Sequence, residues 1–468
     1  MQLGNAASAR YVLRRGGDAL EVVSGGIGLG QPAPQPASGI TVAMTTDRLN
    51  VDAWRALLSG PDNKGGDKPA GDIGRSSPFL PDRMTVRAKV LDAFGRSLDD
   101  VSLDAGRERG DGGWNMQINS RQIAGTGQWR RNASNPSGML TVRLAHLDIP
   151  DATDDGHMTE AITRSVEEMP ALDLSVDRFV LHGREFGKLE VKAHTSHDDN
   201  QPVWTLDSLT IEQPGAKLTG NGSWRLPRRL REAAAQGDAS STEGRRTLLN
   251  FKLDIRNGGD VLERMGLPHT LRDGKGTFEG RIAWRGSPMS IDYPTLSGRL
   301  NLNIENGQIL SVDPGAARLL GVLSLQSLLR FATLDFRSLS SRGMVFDSLN
   351  GTGTIENGVG KIEEFKFKSG QAMASMSGTA DLLHETQDLE VAVTPRINAT
   401  TTSVAAAFIN PVLGIGTLAA QLMFADEISK VFTQHYRVSG SWADPKVTKV
   451  EDNKTQPPIQ ERSGAYPR

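Results

Sequence analysis

Cysteine is absent from the 468-residue chain. That excludes disulfide frameworks, thiolate zinc sites, iron–sulfur clusters and thiol nucleophiles. An excess of one charge is absent too. The 53 Lys and Arg stand against 55 Asp and Glu, a formal net charge of −2, with no basic block. A nucleic-acid binder draws its affinity from neutralising phosphates, so no nucleic-acid partner is expected. Aromatic residues make up only 5%. The first thirty residues carry Arg10, Arg14, Arg15 and Asp18 and hold no apolar secretory stretch, so the expectation is a chain cut from something longer.

Catalytic motifs are missing as well. There is no Gly-x-Ser-x-Gly elbow, no phosphate loop of the G-x-x-x-x-G-K-[ST] type, and no second histidine after His384-Glu385. Gly351-Thr-Gly353 and Gly358-Val-Gly360 sit inside β alternation with no helix behind them, so they read as turn glycines rather than an anion cradle. The strongest metal candidate is His194-Thr-Ser-His197-Asp198-Asp199, but no distant ligand is identifiable and a solvated hairpin tip accounts for the same residues. No catalytic residue, metal or cofactor is expected, and the chain reads as a non-enzyme.

What the sequence has is alternation. Leu249, Phe251, Leu253 and Ile255 alternate with Asn250, Lys252, Asp254 and Arg256. Leu300, Leu302 and Ile304 alternate with Asn301, Asn303 and Glu305, and Phe365 and Phe367 with Glu364, Lys366 and Lys368. Met84 to Val90 and Leu189, Val191 and Ala193 repeat the pattern. Successive strand side chains point to opposite faces, so each strand has one apolar and one charged side. Parallel strands under helices would read as continuous apolar runs. The expectation is a mainly β, antiparallel sheet with one wet face.

Helices are expected over 47–58, 158–169, 259–265 and 315–331. Linker composition marks Gln31 to Gly39, Gly60 to Pro81 and Ala233 to Gly244, and Asp148 to Gly156 is an acidic loop. A spacing Gly-x-x-x-Trp-Arg recurs at Gly125–Arg130, Gly220–Arg225 and Gly280–Arg285, with Gly440-Ser-Trp442 a degenerate relative. A tryptophan at a fixed place in each hairpin is a packing device, and the repeat predicts a sheet that grows by adding similar hairpins.

One segment breaks the pattern. From Ile397 to Ala425 no charged residue occurs in 29 positions. Asn410-Pro411, Gly414, Gly416 and Gln421 interrupt it, which predicts two short apolar helices rather than one span. They either plug the end of the sheet's apolar face or meet a bilayer or partner through Phe408, Ile409, Leu413, Ile415, Leu418, Leu422 and Phe424.

Several stretches resemble the C-terminal end of the AsmA-like proteins of the YhdP type. They are Gly343-Met-Val-Phe-Asp347 through Gly358, Gly378-Thr-Ala-Asp-Leu382, Val393-Thr-Pro395 and Tyr436-Arg-Val-Ser-Gly-Ser-Trp-Ala-Asp-Pro445. The block from Pro314-Gly315 to Gln326, Leu334-Asp-Phe336 and the segment from Trp204 to Trp224 are similar to the same family. The resemblance implies a long twisted sheet curled into an open hydrophobic groove, anchored in the inner membrane of Gram-negative bacteria and crossing the periplasm. It implies phospholipid as the cargo, bacterial membranes as partners with the outer-membrane side at the C-terminus, an envelope protein as a further partner, and a role in the outer-membrane barrier. The expectation is that this membrane anchor lies outside the chain. The implied groove lining is Leu189, Val191, Leu249, Phe251, Leu253, Ile255, Leu300, Leu302, Ile304, Phe365 and Phe367.

The expected divisions are β-groove segments over 1–147, 148–246 and 247–396, the apolar helical pair at 397–435, a final strand at 436–450 and a disordered tail at 451–468. A structural β-sandwich or β-solenoid stalk buries the same faces, and alternation alone does not separate it from a lipid conduit.

Overall fold

The computed structural model describes residues 2–3, 7–16, 19–51, 53, 81–93, 96–108, 113–132, 135–149, 170–198, 201–225, 244–288, 291–310, 344–370, 372–396 and 433–450. Two compact units account for them, residues 1–254 with 280–292, and residues 255–279 with 293–468.

The first unit is a ladder of strands in chain order: β1 (Gln2–Leu3), β2 (Ala7–Gly16), β3 (Ala19–Leu29), β4 (Gly39–Asn50), β5 (Arg83–Ala93), β6 (Arg96–Arg107), β7 (Trp114–Asn119), β8 (Ile123–Asn132), β9 (Asn135–Ile149), β10 (Ala171–Leu181), β11 (Arg184–Asp198), β12 (Gln201–Gln213), β13 (Ala216–Arg225) and β14 (Arg246–Ile255). The mainly β expectation holds, and most neighbours are antiparallel. Three pairs are not: β3–β4, β4–β5 and β9–β10 are parallel. The cause lies in the connections. An antiparallel pair closes with a two-residue turn, whereas a parallel pair needs a segment that returns the chain to the same end. The linker stretches Gln31 to Gly39 and Gly60 to Pro81 and the acidic loop Asp148 to Gly156 fall at the connections of these three parallel pairs, although Gly39 opens β4 and Asp148 and Ile149 end β9.

Where the turn is tight the chemistry is local. His182-Gly183 joins β10 to β11 with φ of 50° and 70°, the paired positive values of a type I′ hairpin. Pro214-Gly215 joins β12 to β13.

The second unit holds β16 (Ser297–Ile309), β17 (Met344–Glu356), β18 (Val359–Lys368), β19 (Ala372–Asp381), β20 (Thr386–Pro395), β21 (Gln434–Ser441) and β22 (Pro445–Val450), antiparallel throughout. Strand β15 (Leu271–Arg285) gives residues 271–279 to this unit and 280–285 to the first. Asn357-Gly358 makes a second type I′ turn, with φ of 51° and 79°. Gly358 is therefore a turn glycine as expected, but Gly351, Gly353 and Gly360 lie inside strands.

The helix expected at 259–265 is α1 (Gly258–Arg264). Asn257 caps it by accepting from the Asp260 N–H at 3.3 Å, with Asp260 in its first turn and Arg264 in its last. The helix expected over 47–58 is corrected at its start. Residues 47–50 finish β4, held in register with β5 to Asn50↔Asp92 and by an Arg48–Asp92 ion pair at 2.7 Å, so the pairing with β5 outweighs helix propensity. Asn50 Oδ1 then accepts from Ala53 N–H at 2.7 Å. The helices expected at 158–169 and 315–331 and the apolar pair within 397–435 lie outside the described residues.

Candidate functional site

Directly opposed residues in a ladder point to the same face. Following the registers from strand to strand therefore shows what each face carries. In the first unit one row runs Leu29, Met44, Val86, Leu103, Ile118, Gly125, Leu144, Val176, Leu189, Ile211, Leu218 from β3 to β13. Two residues away along each strand a second row runs Ile27, Val42, Met84, Ala105, Met116, Gly127, Val142, Leu174, Val191, Leu209, Gly220. Neither contains a polar side chain. Ten inter-strand spacings make each row roughly 48 Å long, at about 4.8 Å per strand.

The residues between them point the other way. Thr85, Asp104, Gln117, Thr126, Arg143, Ser175, Glu190 and Thr210 oppose one another in the same registers. That face is charged and wet. Lys188 Nζ lies 2.6 Å from Glu190 Oε1, and this hydrogen bond holds the Glu190 carboxyl below its usual range. Arg143 Nη1 lies 2.9 Å from Asp173 Oδ1. A cavity of about 750 Å³ opens over β5 to β9, and its polar side chains, among them Arg83, Asp104, Gln117 and Arg143, belong to this face rather than to the apolar rows.

Keeping the rows unbroken requires bulges, because a one-residue slip would turn a strand's apolar set outward. On β12, Leu206 and Leu209 are three apart, yet they meet Gly222 and Gly220 on the same neighbour, since the register shifts between them. Asp207 and Ser208, the two residues that stand against the single Asn221, are exposed. At Gly125 φ is 154°, and a Cβ there would stand 2.2 Å from the Arg143 carbonyl oxygen, so only glycine allows the shift that brings Leu144 into line.

Of the lining residues expected from sequence, Leu189 and Val191 stand in the two rows. Leu249 joins them, for a Cβ on Gly220 would lie 3.7 Å from Leu249 Cδ1. Phe251 and Leu253, half-buried, follow it on β14 beside exposed Lys252. Leu300, Leu302, Ile304, Phe365 and Phe367 come together in the second unit, where the registers run Leu302–Gly351–Phe365–Met376–Val391–Tyr436 and Leu300–Gly353–Ile362–Gly378–Leu389–Val438. Ile255 is buried at that unit's first residue. Both faces mix half-buried and buried side chains: Val142, Leu174, Val191 and Leu209 beside Val86, Leu144, Val176 and Leu189 in the first unit, and Leu300, Leu302 and Ile304 beside Phe365 and Val438 in the second.

Sequence reading missed most of the first unit's rows, including Leu144, Val176 and Ile211. Glycines at Gly125, Gly127 and Gly220 interrupt the apolar alternation there. Leu172-Asp-Leu174-Ser-Val176 was the available signal.

His194 is in strand β11 rather than at the hairpin tip, and its Nδ1 lies 2.8 Å from Asp207 Oδ2. No cluster of three metal-ligating side chains occurs among the described residues. Tryptophans of the repeat pack as expected. Trp129 opposes Trp114 and Trp224 opposes Trp204; Trp224 is fully buried with the Arg245 guanidinium 5.4 Å from its ring centre. Phe408, Ile409, Leu413, Ile415, Leu418, Leu422 and Phe424 lie outside the described residues, among which no helix is long and apolar enough to cross a membrane.

The sequence model of the YhdP protein family matches residues 1–447. Over 426 residues the chain is 25% identical to the intermembrane phospholipid transporter YhdP of Escherichia coli (strain K12), covering 90% of this chain and 31% of that protein. The chain thus spans about a third of the length of this relative. No solved structure matches it.

Proposed function

The chain belongs to the YhdP family, and from that premise we propose that it is a stretch of a non-enzymatic conduit along which phospholipid passes between two membranes. The observation that carries this reading is the pair of apolar rows crossing eleven strands of the first unit, most of whose side chains are only half-buried. A phospholipid pulled through water loses about 0.8 kcal/mol for each methylene exposed. Laid along these rows the acyl chains keep most of that contact, while the headgroup remains hydrated beyond the rim. Passage needs no bond made or broken.

On this reading the sheet curls around its apolar face as an open groove. The lining is Leu189, Val191, Leu249, Phe251 and Leu253 in the first unit and Ile255, Leu300, Leu302, Ile304, Phe365 and Phe367 in the second. The uncharged run at 397–425 meets the outer-membrane side or an envelope partner. The whole protein is anchored in the inner membrane, spans the periplasm and supports the outer-membrane barrier.

A second reading, a structural stalk, draws on the near-complete burial of Phe365 and Val438, which is how a packed core looks. Photo-crosslinking in cells separates the two. A photoreactive residue at Val191 is expected to capture phospholipid, and one at the adjacent Lys192, on the opposite face, is not. Equal capture at both positions, or none at either, refutes the conduit and leaves the stalk.

A further inference from the structure

The cavity of about 750 Å³ over β5 to β9 opens on the face turned away from the apolar rows, and its floor is unlike the rest of that face. Over β11 to β13 the wet face is ionic, with Lys188 beside Glu190 at 2.6 Å and Lys217 beside Glu212 at 3.7 Å. Under the recess, β7 and β8 instead present Asn115, Gln117, Thr126 and Gln128, none of them charged. Gln128 Nε2 donates to the opposed Asn115 Oδ1 at 2.7 Å, which leaves Asn115 Nδ2 and Gln128 Oε1 for a ligand. Gln117 and Thr126 make no side-chain hydrogen bond among the described residues. A side-chain amide donates and accepts at neighbouring atoms, and a hydroxyl does both at one. Such a floor suits hydroxyl groups rather than ions.

Room above this floor comes from one position. Arg83, Gly106, Asn115 and Gln128 form a single row across β5 to β8, and a Cβ on Gly106 meets nothing within 4 Å. Between Arg83 and Asn115 there is thus a gap of two strand spacings, roughly 10 Å, without a side chain. Ala105, Met116 and Gly127 also border the recess, but by register they belong to an apolar row on the other face. The recess therefore offers an acyl chain no apolar wall.

Charge is confined to the margins. Arg143 is offset by Asp173 at 2.9 Å, while Asp104 accepts from Thr85 at 3.1 Å and lies 3.7 Å from Arg87. Arg83 has no ion pair and no side-chain hydrogen bond among the described residues. One uncompensated cation is left, facing a neutral floor across the gap at Gly106.

We propose that this recess binds a water-soluble polyol bearing one anionic group, of the sugar-phosphate class, with its hydroxyls on Asn115, Gln117, Thr126 and Gln128 and its anion on Arg83. The site does not rest on the conduit reading, since it and the apolar rows lie on opposite faces of the same strands. A phospholipid headgroup shares this chemistry, but its acyl chains find no apolar side chain here.

Glucose-6-phosphate is the probe, observed by saturation-transfer NMR with the full chain. It is expected to bind about tenfold more tightly than glucose or inorganic phosphate, the ratio that one charge-assisted contact supplies. Arg83→Gln binds glucose as the parent does and loses the preference for the phosphorylated sugar. Gly106→Val places a residue that strands accept into the open gap, so it keeps the melting temperature and abolishes binding of the probe. Inorganic phosphate binding as tightly as the probe, binding that survives Gly106→Val, or no binding to the parent overturns the inference and leaves a solvated sheet face. If Gly106→Val does not fold, the preference and its loss in Arg83→Gln decide. Phosphatidylglycerol vesicles are expected not to displace the probe; displacement overturns the soluble ligand and gives the recess to a lipid headgroup.

Discussion

Asp388 and Arg437 sit on the solvent side of β20 and β21, one step apart in the register. Arg437 donates from Nε to Asp388 Oδ1 at 2.7 Å and from Nη2 to Oδ2 at 2.6 Å, a two-pronged contact. The hydrogen bond from Arg437 holds the Asp388 carboxyl below its usual range. A carboxyl with a depressed folded-state pKa binds its proton more readily when unfolded. Its contribution is therefore present above the unfolded value and lost as the pH falls through the folded one. Thermal unfolding of the parent and of Asp388→Asn is expected to differ at pH 7, with the parent more stable, and to converge as the pH falls below the ordinary carboxylate range. Both side chains are half-exposed, so the difference at neutral pH is small and shrinks in salt. A difference that grows on acidification would show that the contact does not hold this carboxyl down.

At the scale of elements, the two type I′ turns give a comparison within one molecule. A Cβ on Gly183 meets nothing within 4 Å, whereas one on Gly358 lies 2.6 Å from the Tyr293 carbonyl oxygen. Gly183→Ala then costs only the left-handed backbone, about 1 kcal/mol. Gly358→Ala carries that cost and must also displace backbone, so its destabilisation in urea unfolding is expected to exceed about 2 kcal/mol. Equal losses would mean that the Tyr293 segment yields freely.

These elements also show what the sequence made legible. Strands with strict alternation, such as Leu300 to Ile304 and Glu364 to Lys368, were readable, as was α1 with its Asn257 cap. The parallel pairings were not, because direction is set by where a connection leads the chain, and Gln31 to Gly39 has the composition of any linker. The apolar rows were half legible. A row is a property of register across many strands, and at β8, β12 and β13 glycines and a bulge hide it from any one strand's pattern. The recess over β5 to β9 was invisible for the opposite reason. Asn115, Gln117, Thr126 and Gln128 read as an ordinary wet face until the space over Gly106 is known.

The first unit as a whole differs from its strands in one respect: a path fails at its weakest position, whereas a bound surface merely loses area. Val142 stands near the middle of the second row, between Gly127 and Leu174, and Thr141 beside it faces the other way. Glutamate at 142 leaves most of the apolar rows intact, and because the position is half-buried the carboxylate keeps its water when no lipid is bound. An acyl chain crossing it must strip that water, at a cost of several kcal/mol. An added barrier of about 1.4 kcal/mol already slows passage tenfold. For Val142→Glu, lipid transfer between two vesicle populations is expected to fall at least about tenfold, while lipid bound per chain and the melting temperature stay near those of the parent. Thr141→Glu is expected to change none of the three. If transfer and binding fall in proportion, the rows act as a storage surface; if Val142→Glu transfers as fast as the parent, lipid does not travel along them.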